Sequence, residues 1–173
     1  RILTAGNGET ALKLTLSELP DLIISDVMMP VMDGYEYCRR LKSDIRTSHI
    51  PVLLLTAKTG DENKYCGLEA GAEDYISKPF RTEMLTLKVS RIIERQKQQH
   101  DQFRRKVEIN PSEIEITSMD EKFVKKAVAL VEENVGNAEF LVEDFCREMA
   151  MSRVYFYKKI LSLTDKTPSE FIR

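Results

Sequence analysis

The stretch that decides the fold is DLIISDVMMPVMDG, which spans residues 21–34. Its first half is an apolar run that ends at Asp26, and such a run is typical of a short buried strand. Its second half contains Pro30 and Gly34, which interrupt regular secondary structure. Because open α/β sheets bind ligands at the carboxyl ends of their parallel strands, Asp26 is the first candidate functional residue.

Two more polar residues follow strand-like runs further along the chain. Thr56 comes directly after the run at 50–55, and Lys78 closely follows the run at 74–76. A carboxylate, a hydroxyl and an ammonium group on successive strand ends can converge on one small anion. A single aspartate at a strand end is more often a cap or turn residue, but the three residues together favour chemistry. The spacing therefore predicts a phosphoryl-accepting site.

Residues 1–90 alternate between strand-like and helix-like segments. Strands are predicted at 2–4, 21–25, 50–55 and 74–76, and helices at 9–19, 35–42, 62–70 and from 81 onwards. Gly71 closes the third of these helices, because glycine tolerates the left-handed conformation at a helix end. This alternation predicts a doubly wound parallel sheet with helices on both faces.

These segments closely resemble the receiver domain of two-component response regulators. The matching stretches are 21–34, 50–57 and 71–80. The resemblance implies a flavodoxin-like α/β fold over residues 1–90. It also implies that Asp26 accepts a phosphoryl group from a histidine kinase.

The resemblance assigns roles to further residues near this site. It implies that Thr56 and Lys78 contact the phosphoryl oxygens, and that Tyr75 changes rotamer with them. It also implies a cis peptide bond between Lys78 and Pro79, since X-Pro is the one context in which the cis form costs little.

Magnesium is the cofactor that the resemblance implies, held by the phosphoacceptor and two adjacent acidic residues at the end of the first receiver strand. The sequence begins at what resembles the second strand, Ile2–Thr4, and no acidic pair follows it. We therefore expect the first strand and helix of the receiver to be missing here. Asp26 and the main-chain carbonyl of Met28 remain as ligands, so we expect the complete receiver to bind Mg²⁺ and this fragment to bind it weakly.

A polar segment at 91–118 separates the receiver from the rest of the chain. The last receiver helix is predicted to continue through a Gln- and Arg-rich stretch to about Arg105. Residues 106–119 alternate polar and β-branched side chains around Pro111, which favours an extended connector.

Residues 119–173 have a helical apolar period. A short helix at 142–149, a turn whose Ser152 is a suitable N-cap, and a helix at 153–163 suggest a helix-turn-helix. Residues 167–170 combine a capping box with proline at the first helical position, so a further helix is predicted to begin at Pro168.

The segments 141–160 and 166–173 look like the first half of an AraC-type DNA-binding domain. Ala150 and Asp165 depart from the usual pattern, which has glycine at both positions. If these residues need a positive φ, that conformation would cost more free energy at Ala150 than at Asp165, because a short Asx side chain tolerates the left-handed region.

The helix at 153–163 is the candidate for entry into the DNA major groove. Its core stripe is formed by Phe156, Ile160 and Leu163. The predicted DNA-binding residues are Arg153, Val154, Tyr157 and Lys158 at base edges, with Ser152 and Lys159 at phosphates. The alternative interpretation of these cations is an ordinary solvated helix face.

Composition excludes several other classes of protein. Apolar residues make up 42% of the sequence and charged residues 31%, which are ordinary globular values. No run approaches the roughly 18 apolar residues of a spanning helix, and the net charge of −2 lacks the basic excess of typical nucleic-acid binders. Three widely spaced cysteines without a Cys-x-x-Cys motif favour free thiols in a reducing cytoplasm.

The leading hypothesis is a phosphorylation-controlled transcriptional regulator in the cytoplasm rather than an enzyme. Its expected partners are promoter DNA and a histidine kinase on the same or a separate chain, with no direct membrane contact; a homodimer is left open. The domain order resembles both hybrid sensors, whose kinase part can be anchored in the inner membrane, and stand-alone regulators. The alternative hypothesis is a phosphorelay or adaptor receiver whose helical tail binds protein.

Overall fold

The computed structural model describes residues 1–57, 70–109, 119–137 and 139–172, and for residues 99–109 it describes the backbone alone. The chain divides into two compact units. The first, which we call the sheet unit, is Arg1–Gln96, and the second, which we call the helical unit, is Lys97–Arg173.

The sheet unit alternates helices and strands as the sequence predicts. In chain order its elements are α1 (Gly8–Glu18), β1 (Ile23–Asp26), α2 (Gly34–Ser43), β2 (Val52–Thr56), β3 (Asp74–Ser77) and α3 (Thr82–Ile109), the last of which extends beyond the unit. The strands form a parallel sheet in the order β1-β2-β3. The helix predicted at 62–70 lies outside the described residues, but Gly71 has the expected positive φ of 81°.

The central strand explains why this sheet is stable. Val52, Leu53 and Leu54 in β2 are all buried, as expected for a strand whose two faces are both covered. Leu53 packs with Ile76 of β3 and Ile92 of α3. The carboxyl ends of the strands are thereby held on a packed apolar layer.

The predicted strand at Ile2–Thr4 is wrong. These residues form no strand and pair with none of the described strands, and Ile2 is 92% exposed. A strand persists only where a neighbour completes its hydrogen-bond ladder, and a short apolar run alone does not supply one.

The helical unit is built around an aromatic core. Its helices are α4 (Met119–Glu133), α5 (Val142–Glu148), α6 (Arg153–Thr164) and α7 (Pro168–Ile172). Phe145 lies edge-on to Phe156, with ring centroids 4.7 Å apart. The buried cluster is completed by Phe123, Val124, Ala127, Val128, Cys146, Met149 and Ile160.

Local signals place the ends of α6 and α7 where the sequence predicts them. The Ser152 hydroxyl accepts a hydrogen bond from the Tyr155 amide at 3.5 Å. The Thr167 amide donates to the Glu170 carboxylate at 2.8 Å, and the Glu170 amide donates to the Thr167 hydroxyl at 3.3 Å. This reciprocal capping box confirms that α7 begins at Pro168.

Both positions where glycine would be usual have a left-handed backbone. Ala150 has a φ of 54° and Asp165 a φ of 56°. Asp165 follows α6 directly as its carboxyl-terminal cap. The turn at Ala150 therefore carries a conformational cost that glycine would not.

The connector begins later than the sequence predicts. Residues 106–109 are helical and belong to α3, whereas we predicted an extended segment from Lys106. Isolated β-branched residues such as Val107 lower helix propensity only slightly, so an ongoing helix absorbs them. The remainder of the predicted connector, 110–118, lies outside the described residues.

Candidate functional site

Strand register brings the predicted site residues to one edge of the sheet. Asp26 is paired with Leu55, the residue before Thr56. Thr56 is in turn paired with Ser77, and the Lys78 amide donates to the Thr56 carbonyl at 2.7 Å. The last residues of β1 and β2 and the first residue after β3 therefore meet at the same edge.

The loop after β1 folds back closely onto the strand end. The Gly34 amide donates to the Val27 carbonyl at 3.0 Å. A Cβ at Gly34 would lie 2.3 Å from the Asp26 carbonyl oxygen, so only glycine fits there. Asp33 then caps α2 by accepting a hydrogen bond from the Glu36 amide at 2.8 Å. The loop holds Asp26 in place and leaves its carboxylate accessible.

Asp26 and Lys78 form a direct ion pair at this edge. The Lys78 ammonium donates to Oδ2 of Asp26. The Met28 amide donates to Oδ1 at 3.1 Å, which fixes the orientation of the carboxylate. The side chain of Asp26 is 32% exposed and that of Lys78 is 39% exposed. Solvent, and hence another molecule, can reach both groups.

The net electrostatic effect keeps the Asp26 carboxylate ionised. Partial burial alone would raise the pKa of Asp26, but the hydrogen bond from Lys78 and the amides of Met28 and Val27 outweigh it and hold the pKa below its ordinary value. At neutral pH the group is therefore an anion, which is the nucleophilic form.

Thr56 and Tyr75 lie on the two adjacent strands β2 and β3. Thr56 is 4% exposed at the end of β2. Tyr75 is half-buried on β3, and its register partner is Leu54. The peptide bond between Lys78 and Pro79 is cis, which confirms the prediction from the resemblance.

The sequence interpretation missed one residue beside Tyr75. The Lys88 ammonium on α3 lies 5.7 Å from the Tyr75 ring centroid and 2.6 Å from the Asp74 carboxylate. A lysine one to two turns into a helix that follows a strand can reach back to that strand. The sequence signal for this contact was Asp74, the acidic residue at the start of β3.

The residues predicted to bind magnesium do not form a complete ligand set within the described ranges. Within the described ranges, no group of three or more His, Cys, Asp or Glu side chains converges in a way that could hold a metal ion. Asp26 and a main-chain carbonyl of the following loop fall short of the six oxygens that Mg²⁺ demands. The weak affinity expected of these residues stays a prediction.

A second candidate surface is the outward face of α6. Val154 is 63% exposed and Tyr157 is 43% exposed, and Lys158 is also exposed. Arg153, at the start of the helix, forms an ion pair with Glu143 of α5 at 2.7 Å. Large apolar and cationic side chains thus share one solvent-facing surface, which we call the α6 face.

Lys159 does not belong to that surface, so the predicted phosphate contact is wrong. Its side chain is 0% exposed, and its ammonium lies 2.7 Å from Oδ1 of Asp120 on α4. At 100° per residue Lys159 lies about 60° from Phe156, within the arc that faces the core. The prediction combined helical phase, local charge and resemblance, and the small angle between Lys159 and Phe156 was the signal that could have corrected it.

The sheet unit has the parallel-sheet fold of a signalling receiver. The protein-family model of the response regulator receiver domain matches residues 1–90 of the sequence. The chain therefore belongs to that family. Receiver domains interact with histidine kinases and generally bind Mg²⁺ at the phosphorylation site. None of the helices in the described ranges is both long and apolar enough to cross a membrane.

Several known proteins resemble the chain over different lengths. It is 47% identical to Histidine kinase P4 of Formosa agariphila over 172 residues, which are 99% of this chain and 13% of that protein. It is 43% identical to the transcriptional regulatory protein AfsQ1 of Streptomyces coelicolor over 95 residues, 55% of this chain and 41% of that protein. The chain thus spans less than half the length of either relative.

A solved receiver supports the fold of the sheet unit. The chemotaxis response regulator CheY4 of Vibrio cholerae superimposes with a TM-score of 0.51 at 36% identity, covering 53% of this chain and 77% of that one. This likeness supports the flavodoxin-like parallel sheet and leaves the helical unit unassigned.

Proposed function

We propose that the protein is a phosphorylation-controlled transcriptional regulator of a two-component system. In this proposal Asp26 accepts a phosphoryl group from a histidine kinase, and the helical unit binds promoter DNA. The observation that carries it is the ion pair of Asp26 with Lys78 beside Thr56 in a member of the receiver family.

The geometry suits nucleophilic attack by Asp26. One carboxylate oxygen would form a bond to phosphorus while the bond from phosphorus to the kinase histidine breaks and the freed imidazole takes up a proton. The Lys78 ammonium would then exchange the carboxylate for a phosphoryl oxygen, and the Thr56 hydroxyl would bind another. Tyr75 would change rotamer as Thr56 is drawn towards the phosphoryl group.

The helical unit is proposed to be an AraC-type helix-turn-helix. Support comes from the order of α5, turn and α6, from the left-handed residues Ala150 and Asp165, and from the exposed α6 face. The N-terminal part of a recognition helix contacts base edges in such motifs, which suits Arg153, Val154, Tyr157 and Lys158. The name of the relative AfsQ1 also favours transcriptional output.

We further propose that the chain is part of a hybrid protein that carries its own kinase. The support is its likeness to Histidine kinase P4 along nearly the whole chain, including the helical unit. That protein is far longer than this chain, of which the alignment occupies 13%.

The test of the function is DNA binding by the full-length protein before and after phosphorylation. The protein is treated with acetyl phosphate, and its affinity for a duplex selected from a random-sequence pool is measured across a salt series. We expect phosphorylation to raise the affinity and salt to lower it steeply, since phosphate contacts release counterions.

The matched control is Asp26→Asn, which should bind alike with and without acetyl phosphate. A parent protein that selects no duplex at all would contradict the DNA-binding output. Capture of a protein partner by the helical unit would then favour the adaptor alternative.

A further inference from the structure

The α6 helix places two adjacent lysines in opposite environments. Lys158 is exposed, whereas the side chain of Lys159 is 0% exposed. The Lys159 ammonium lies 2.7 Å from Oδ1 of Asp120 and 5.3 Å from the ring centroid of Phe123. A charged group inside an otherwise apolar core calls for an explanation, because its burial is costly unless it is paired.

Asp120 is a suitable partner for this ammonium. It is the second residue of α4, in the first turn, where a carboxylate is favoured by the helix dipole. Its side chain is 27% exposed, so it keeps part of its hydration while it neutralises Lys159. The pair therefore joins the beginning of α4 to the middle of α6.

The apolar contacts of α6 fix its rotation less strictly than a buried ion pair does, and the ion pair between Arg153 and Glu143 of α5 is exposed to solvent. Phe156 and Ile160 are buried in a cluster of apolar side chains from α4 and α5. Apolar packing is non-directional, and such cores tolerate small repacking. An ion pair of defined length does not, because a shift of α6 would leave the Lys159 charge buried and unpaired.

We propose that Lys159 is a positioning residue for DNA recognition that acts through Asp120. The pair sets the rotation of α6 against α4 and thereby directs the α6 face outward. Lys159 itself touches no nucleic acid. This inference rests on the proposed DNA binding of the helical unit, and it assigns a positioning role to a lysine that the sequence suggested was a phosphate contact.

The test compares Lys159→Met with Lys158→Met in the full-length protein. The measured quantity is the preference for a duplex selected by the parent over a scrambled duplex of the same length, at several salt concentrations. For Lys159→Met we expect the preference to fall about tenfold, because misdirected side chains lose base contacts. The salt slope should stay that of the parent, because no phosphate contact is lost.

Matched variants separate this role from simpler ones. Lys122→Met removes an exposed lysine from α4 and should leave the preference unchanged. The double variant Asp120→Leu/Lys159→Met removes both charges, and such replacements often keep or raise stability. We expect it to fold at least as well as the parent and still to lose preference, which a purely stabilising role would not produce.

The ion pair can also be checked without DNA. In nuclear magnetic resonance spectra, the Lys159 ammonium protons should exchange with solvent more slowly than those of Lys158. Asp120→Asn should remove most of that difference. Equal exchange in the parent would overturn the pair and the proposal with it.

Three binding results would also overturn the positioning role. If the double variant keeps the parent's preference for the selected duplex, the pair does not set the rotation of α6. A salt slope flattened by about one unit in Lys159→Met would show a phosphate contact instead. If the parent itself selects no duplex, the proposed function fails and the positioning role fails with it. If the parent selects a duplex and Lys159→Met keeps the same preference, the positioning role alone is rejected.

Discussion

The carboxyl edge of the sheet and the α6 face differ in how far local sequence determines them. At the sheet edge, Asp26 and Lys78 pair as predicted, and Thr56 lies beside them. On α6, the prediction assigned both lysines to the surface, and Lys159 is in the core. A side chain at a strand end is placed by the register of the sheet. A side chain on a helix is placed by whichever neighbouring helix packs against it.

The largest expected effect is on stability, and it distinguishes the buried face of α6 from its exposed face. Phe156→Ala should lower the free energy of unfolding of the helical unit by about 3–5 kcal/mol, because it empties the centre of a closed aromatic cluster. Val154→Ala, two residues earlier and exposed, should change it by less than about 0.5 kcal/mol. Urea unfolding of both variants measures this, and similar losses would show that the assigned core face is wrong.

A somewhat smaller effect is expected where the loop approaches β1. Gly34→Ala should destabilise the sheet unit by about 1–3 kcal/mol, because the new methyl would lie 2.3 Å from the Asp26 carbonyl oxygen. Gly6→Ala is the matched control, since its Cβ would meet nothing within 4 Å. Thermal unfolding of the two variants decides the matter. Equal stability would mean that the loop relaxes freely and does not hold Asp26.

The α6 face can be tested through one exposed lysine. Lys158→Ala should cost about 1–3 kcal/mol in binding the selected duplex and relax the preference at one base position. Arg147→Ala, which removes an exposed cation from α5, should leave the preference for bases unchanged. Quantitative binding to a panel of single-base variants measures both. An unchanged base preference in Lys158→Ala would remove that residue from the proposed contacts.

Most of the sheet unit could be predicted, because its signals are local. Apolar runs of strand length and the breaks after them locate β1, β2 and β3, and parallel pairing then forces their ends together. The prediction of a strand at Ile2–Thr4 failed because an apolar run does not reveal whether a neighbouring strand is there to pair with it. Lys88 was missed because its contact with Asp74 depends on the path of α3 across the sheet.

The helical unit was predictable in its helix ends but not in its charges. Ser152 and the box at Thr167 and Glu170 are capping signals read within a few residues. The burial of Lys159 depends on Asp120, which is 39 residues away in the sequence. The helical angle indicates that Lys159 faces the core, but no local pattern in the sequence identifies Asp120 as its partner.

The smallest expected effect is the response of the sheet unit to acid. Because the pKa of Asp26 is lowered from 3.8, its ionised form stabilises the folded state above that pH, and this contribution is lost as pH falls through the folded-state pKa. Asp26→Asn should therefore lose less stability than the parent on acidification below about pH 4. Urea unfolding at a series of pH values measures the two curves. Parallel curves would show that the pair with Lys78 does not shift the carboxylate.

The central claim is that Asp26 is the phosphoacceptor, and phosphoryl transfer to the full-length protein tests it most directly. The parent, Asp26→Asn and the matched control Asp21→Asn are incubated with labelled acetyl phosphate, which donates a phosphoryl group without a histidine kinase. Asp21 is exposed five residues earlier in the same stretch. We expect label on the parent and on Asp21→Asn and none on Asp26→Asn. Undiminished label on Asp26→Asn would contradict the assignment.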